Sequence, residues 1–175
     1  VVYLSSFFIK KFKSFCMRID WVKTFPEGLN AMIGLQKVVN KSKIDQKLLL
    51  LMVTRASQIN GCAHCLDMHT KDSIAIGEDP KRLNVLAAWR DAPFFSDKER
   101  AALAWTESLT LVAEKVASEN EYEELKKYFS PKEIMELTFA IVAINGWNRI
   151  NVAVKSEVGS YVSPYKKKKE AEPAS

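Results

Sequence analysis

Six consecutive apolar residues, Leu48-Leu49-Leu50-Leu51-Met52-Val53, constrain this chain more than any other stretch. On a helix, such a run shows apolar side chains on every side, so other elements must enclose it rather than cover one face. A buried strand is the competing reading of a short apolar run. The richness in leucine and the helical spacing of the flanking residues, from Ile44 to Ile59, favour helix. No stretch alternates with period two and no internal repeat is present. The pattern predicts an all-α domain of about six to seven helices.

Start and stop signals place the remaining helices. Thr24-Phe25-Pro26-Glu27, Ser96-Asp97-Lys98-Glu99 and Ser130-Pro131-Lys132-Glu133 each have the S/T-x-x-E form of a capping box. The first heads a helix to about Asn40. The second heads a long helix with Ala101, Trp105, Leu109, Val112 and Val116 on one face. The third heads a helix carrying Ile134, Leu137, Ile141 and Ile144, which continues across Gly146 to about Val154. Asn60-Gly61 closes the buried helix, and the next runs from Cys62 to about Ile76, ended by Gly77. Asp79-Pro80 starts a short helix through Trp89, and Glu119 to Phe129 forms a short amphipathic one.

At 175 residues the chain is long enough for one domain with a substantial core. Its net charge of +5 raises the question of a nucleic-acid partner. The excess lies at the ends, however: Lys10, Lys11 and Lys13 without any acid, and Lys166 to Lys169 against Glu170 and Glu172. The body between them is neutral, which argues against a basic recognition face and hence against nucleic acid. No apolar run reaches the roughly 18 residues of a membrane span. Val1 to Ile9 lacks both the basic segment and the cleavage site of a signal peptide. Residues 1–16 are read as a non-native or disordered leader, 17–162 as the helical domain and 163–175 as a basic, disordered tail. Three cysteines without an export signal suit a reducing, cytoplasmic setting.

Two of those cysteines and both histidines fall within Cys62-Ala63-His64-Cys65-Leu66-Asp67-Met68-His69. At 100° per residue Cys62, Cys65 and His69 share one helix face, and His64 points roughly to the opposite side. Cys62 and Cys65 are close enough across a first turn for a disulfide. Only a thiolate attacks, and free N–H groups at a helix start, the helix dipole and a nearby imidazole all lower a thiol's pKa. Cys65 has His69 one turn away and is taken as the nucleophile, Cys62 as the resolving thiol, and His69 as base and then proton donor. Simple packing of cysteines is the bland alternative. Zinc is the sharper one: Cys62, Cys65 and His69 offer three ligands, but a structural site needs a fourth, and Cys16 lies in the leader. Leu66 stands where haem attachment would need histidine.

The run Arg55 to Asp72 closely resembles the AhpD-like (alkylhydroperoxidase core) members of the carboxymuconolactone decarboxylase family. The resemblance extends to Ala87-Ala88-Trp89-Arg90, to Glu99 through Glu107 and to Ile144-Asn145-Gly146-Trp147-Asn148-Arg149, and covers about Met17 to Gly159. It implies an all-helical domain assembling as trimers or hexamers. It also implies peroxide reduction in which Cys65 is peroxidatic, Cys62 resolving and His69 part of a proton relay. One position departs from the pattern. Where the family places the relay glutamate, twelve residues before the first cysteine, this chain has Leu50. Glu107 offers a substitute carboxylate from another helix, against the simpler expectation of a solvent-facing helix glutamate. Trp105 and Trp147 read as core or subunit-contact aromatics, with lining of the thiol pocket the lesser option, and Arg55 as an interface ion-pair partner or a solvated surface residue.

Together these features describe a thiol-dependent peroxidase acting on a small hydroperoxide, with a thiol or dithiol electron donor and no cofactor or metal. A redox-sensing or binding protein with weak catalysis, or a zinc-bound structural domain, are the alternatives.

Overall fold

The apolar run is enclosed as its composition requires. In a computed structural model describing residues 17–114 and 116–165, the chain passes through α1 (Trp21–Thr24), α2 (Pro26–Val39), α3 (Gln46–Ile59), α4 (Ala63–Ala75) and α5 (Pro80–Val85). A 3-10 turn at Leu86–Ala88 follows, then α6 (Asp97–Thr110), α7 (Glu119–Lys126) and α8 (Pro131–Val154). Among the described residues there is no strand and no helix long and apolar enough to cross a membrane. The leader 1–16 and the tail beyond Tyr165 lie outside the described residues.

Helix α3 is the hub, packed against α4, α6 and α8. Leu48, Leu49 and Met52 enter the main core with Ala102 of α6, Leu125 of α7 and Leu137 and Ile141 of α8. Leu51 enters a second cluster with Leu83, Leu86, Trp89, Phe95 and Leu103. Leu50 takes neither direction and lines a cavity. Each buried leucine contributes about 1.5–3 kcal/mol, so a helix committed on three sides holds its neighbours in place. Asp45 caps its start by accepting from the Leu48 N–H at 3.0 Å.

Helix α8 runs unbroken through Gly146 to Val154, as its spacing predicts, and Lys155 ends it in the left-handed region. A side chain at Gly146 would stand 2.9 Å from Met32 Cε, so the flexible end of this α2 methionine packs into the space the glycine leaves. Three boundaries differ from the sequence reading. Thr24 does not cap α2: its hydroxyl donates to Asp20 O within α1, and Phe25 stands at the cap position without a side-chain bond. The segment after Asp79 breaks into α5 and the 3-10 turn. Helix α6 stops at Thr110, so Val112 and Val116 are exposed rather than on its buried face. The chain turns there, Glu114 N–H meeting Leu111 O, because α7 must fold back on α6 to bury Leu125. Ser118 and Glu121 form a further capping box for α7.

Glu107, on α6, is neither solvent-facing nor available to a relay. It is buried, and Arg55 Nε and Trp89 Nε1 donate to its Oε1 at 2.7 and 2.9 Å, while Arg90 donates to Oε2. Arg55 therefore pairs inside the chain. Burial pushes the carboxyl up, but hydrogen bonds from Arg90, Trp89 and Arg55, with the Arg55 charge, hold it below its usual range. Trp105 is half-buried against the core and donates to Thr138 Oγ1. Breaking such a buried ion pair by removing one partner costs about 3–5 kcal/mol. Glu107→Ala is therefore expected to lose stability on that scale in urea unfolding, with Glu107→Gln losing less because Trp89 and one arginine keep an acceptor.

Candidate thiol site

The corner between α3 and α4 is built by side-chain amides. Asn60 ends α3, and its Nδ2 donates to Asn145 Oδ1 at 3.0 Å and Asn148 Oδ1 at 2.9 Å, both on α8. The fully buried Asn148 donates in turn to Ser57 Oγ at 3.1 Å. Gly61 follows at φ +63°, a conformation that costs a side-chain-bearing residue energy. The Cys62 N–H then returns to Ser57 O at 3.1 Å. Cys62 is thus the N-cap of α4, and its sulfur accepts the Cys65 N–H at 3.3 Å.

The two sulfurs are joined in a disulfide, with Cα atoms 5.4 Å apart, and both residues are buried. They differ in what they face. Cys65 lines a cavity of about 470 Å³ bounded by α2, α3, α4, α8 and the segment after α8, whereas Cys62 is not part of its wall. His69 lines the same cavity one helical turn on. From α3 come Leu50 and Val53, so the position of the family's glutamate faces the cavity with a hydrocarbon side chain. Trp147 and Asn151 of α8 complete the wall, Trp147 donating to Gln36 Oε1 at 3.1 Å.

Both ring nitrogens of His69 are buried, and neither has a hydrogen-bond partner among the described residues. Burial, assisted by the neighbouring His64, lowers its pKa to about 4, so in this disulfide form the ring is neutral at neutral pH. It supplies no positive charge beside Cys65 here. The helix start supplies less than its position suggests, because the N–H of Cys65 is directed to the Cys62 sulfur.

His64 does not point away from the site; it lines the same cavity. A projection around one helix axis misses this, because the cavity wraps across the first turn of α4. The chain beyond α8 folds back there, and His64 Nδ1 donates to Glu157 O at 2.5 Å. The same segment is fastened by Lys71 Nζ to Gly159 O and Tyr161 O, and by Gly159 N–H to Asp67 Oδ2. Tyr161 closes one side of the cavity and donates its hydroxyl to Asp72 Oδ1 at 2.9 Å; burial and that carboxylate push its phenol well above the usual range. Among the described residues no group of three or more His, Cys, Asp or Glu side chains is arranged to hold a metal ion.

Residues 26–108 match the model of the carboxymuconolactone decarboxylase family. The uncharacterized protein YdfG of Bacillus subtilis (strain 168) is 34% identical over 143 residues, spanning 82% of this chain and 97% of that protein. The chain belongs to the carboxymuconolactone decarboxylase family. Within it, the chain is AhpD-like. A solved structure of a protein of unknown function from Agrobacterium tumefaciens, provisionally named an AhpD antioxidant-defence protein, is 38% identical with a TM-score of 0.80. That match covers 83% of this chain and all of the other. A debrominase solved as a cysteine-to-alanine variant with 2,3,4-tribromopyrrole shares the fold at 20% identity and a TM-score of 0.70, covering 79% of this chain and 74% of its own.

Within this AhpD-like chain, sequence reasoning passed over Asn151 and Tyr161 and gave Trp147 only a minor claim on the pocket. Asn145, Asn148 and Asn151 recur every three residues in the second half of α8, a polar stripe that signals buried hydrogen bonding. Tyr161 lies after the last periodic segment, where no local pattern reports on packing.

The neutral His69 has a consequence for stability. Its folded pKa lies below the ordinary value of 6.5, so between those pH values the unfolded chain binds a proton that the folded chain refuses. The disulfide form is expected to lose about 3 kcal/mol as pH falls from 6.5 to 4, at about 1.4 kcal/mol per pKa unit. Replacing His69 by Leu should flatten that limb in denaturant midpoints measured against pH.

Proposed function

We propose that the protein is a thiol-dependent peroxidase, alkylhydroperoxidase-like, that reduces hydroperoxides through Cys65 and Cys62. One observation carries this reading: the cavity presents Cys65 and withholds Cys62, while the two are close enough to be bonded. Membership of the AhpD-like class supports it.

The reduced Cys65 thiolate attacks the outer oxygen of ROOH. The O–O bond breaks, and the leaving RO⁻ takes up a proton and departs as ROH, leaving a sulfenic acid on Cys65. The Cys62 thiolate then attacks that sulfur and expels hydroxide, which leaves as water after gaining a proton. The Cys62–Cys65 disulfide remains. An external dithiol returns two electrons and two protons. His69 is the group one turn from Cys65 that takes the thiol proton and passes it to RO⁻. With Leu50 in the wall and no partner on the imidazole among the described residues, the relay lacks its carboxylate there. Such a site forgoes part of the roughly 10²–10⁴-fold that acid–base assistance supplies, so turnover is slow.

The homo-oligomer implied by the family has a suitable surface on α8, where Met135, Phe139 and Val142 are exposed at helical spacing. Light scattering would report a trimer or hexamer, and substituting Phe139 by Asp should weaken it.

With tert-butyl hydroperoxide as probe, one equivalent should consume two thiols per chain and form the Cys62–Cys65 disulfide. With dithiothreitol added, the reaction should turn over. Cys65→Ser is expected to fall to the uncatalysed rate. Without dithiothreitol, Cys62→Ser should consume one equivalent and stop, with sulfenic acid trapped by dimedone at Cys65. A Cys65→Ser protein that reduced the peroxide at the parent rate would show the nucleophile to be elsewhere.

A further inference from the structure

We infer that Asn151 is a catalytic residue: its side-chain amide donates a hydrogen bond to the Cys65 sulfur and stabilises the negative charge there, oriented by the Trp147 carbonyl and held in place by Ser156. The inference deepens the peroxidase reading and rests on Cys65 being the attacking thiol.

The orientation of the amide follows from its other contacts. Asn151 Nδ2 lies 2.9 Å from Trp147 O, a carbonyl that can only accept, so the NH₂ end must point that way. The same nitrogen reaches Cys65 Sγ at 3.6 Å. The opposite end, Oδ1, accepts the Ser156 hydroxyl at 2.6 Å. Reversing the amide would set its oxygen against the Trp147 carbonyl and lose the donor to Cys65 Sγ, leaving Ser156 Oγ only to accept. Ser156 is itself placed by its N–H bonding Asn151 O, just beyond the end of α8.

Other sources of stabilisation at this sulfur are already used. The Cys65 N–H goes to Cys62 Sγ, so the helix-start donor nearest the pair serves the resolving cysteine. His64 Nδ1 donates to Glu157 O. Both nitrogens of His69 stand without a partner among the described residues, and burial opposes a positive charge on the ring. The titratable groups sharing the cavity with Cys65 are His64, His69 and Asp72 on α4 and Tyr161 beyond α8; α2, α3 and α8 bring only uncharged side chains to it.

A disulfide sulfur is a weak acceptor, whereas a thiolate in a buried site is a strong one. The Asn151 contact therefore strengthens as charge gathers on Cys65, the behaviour of a donor that favours the attacking form over the resting one. The placement also separates two cysteines that share one helical turn. Cys62 is tuned by the helix end, and Cys65 by a side chain from α8.

The test is the titration of Cys65 in the reduced full-length chain carrying Cys62→Ser. It is followed as the rate of iodoacetamide alkylation against pH, with the modified residue located by mass spectrometry. Asn151→Leu is expected to move the midpoint up by about one pH unit and to slow alkylation at pH 7 about tenfold. Asn151→Asp should move it further, since a carboxylate repels the thiolate. Ser156→Ala should give a smaller shift in the same direction by freeing the amide. A purely structural role for Asn151 would lower the melting temperature without moving the midpoint, and that outcome overturns the assignment. If Asn151→Leu does not fold, Ser156→Ala decides, an unchanged midpoint again counting against it. A shifted midpoint in a protein that consumes no peroxide sinks the peroxidase reading alone. Peroxide consumption with an unmoved midpoint sinks the Asn151 assignment alone.

Discussion

A single buried junction sets where the thiols stand. Asn60 leaves the end of α3 and donates to Asn145 and Asn148, while Asn148 donates back to Ser57. These amides lie between helices packed with leucine and isoleucine, where an unpaired polar group would cost about 1–3 kcal/mol. Each is satisfied only when the α3–α4 corner sits at one place on α8. Cys62 follows two residues after Asn60, so its sulfur inherits that position, and Cys65 and His69 follow along the same helix. The enclosure of α3 on three sides stops the corner from moving away.

From that corner the two cysteines diverge chemically within one turn of helix. Cys62 caps α4 and takes the Cys65 N–H, away from the cavity. Cys65 opens on the cavity beside His69, with Asn151 reaching its sulfur from α8. The site is unusually short of fixed charge on the α3 side. Leu50 occupies the place of the family's glutamate, and Glu107 is spent on Arg55, Arg90 and Trp89 elsewhere. An imidazole buried among such walls resists protonation, which is why His69 lies far below its ordinary pKa in the disulfide form.

Much of the helical frame was legible from local signals, because a capping serine, a glycine at φ +63° or a proline in a first turn acts within a few residues. Ser96 and Ser130 cap as their motifs state, and α8 survives Gly146. The failures have a common cause. Thr24 had another acceptor for its hydroxyl in Asp20, and α6 ended early to let α7 fold back. Glu107 looked solvated because nothing near it in sequence reveals two arginines and an indole arriving from other elements.

By itself, the sequence determined the all-α class, the burial of Leu48 to Met52 and the clustering of Cys62, Cys65 and His69 on one helix, since each depends on periodicity or spacing within a single element. Only the tertiary structure decided which sulfur faces the cavity, that His64 lines it too, that His69 has no partner among the described residues, and that Asn151 and Tyr161 belong to the site. Those facts arise where α2, α3, α4, α8 and the segment after α8 meet. Contacts between residues some 90 positions apart are set by how helices pack around α3, and no local pattern carries that information.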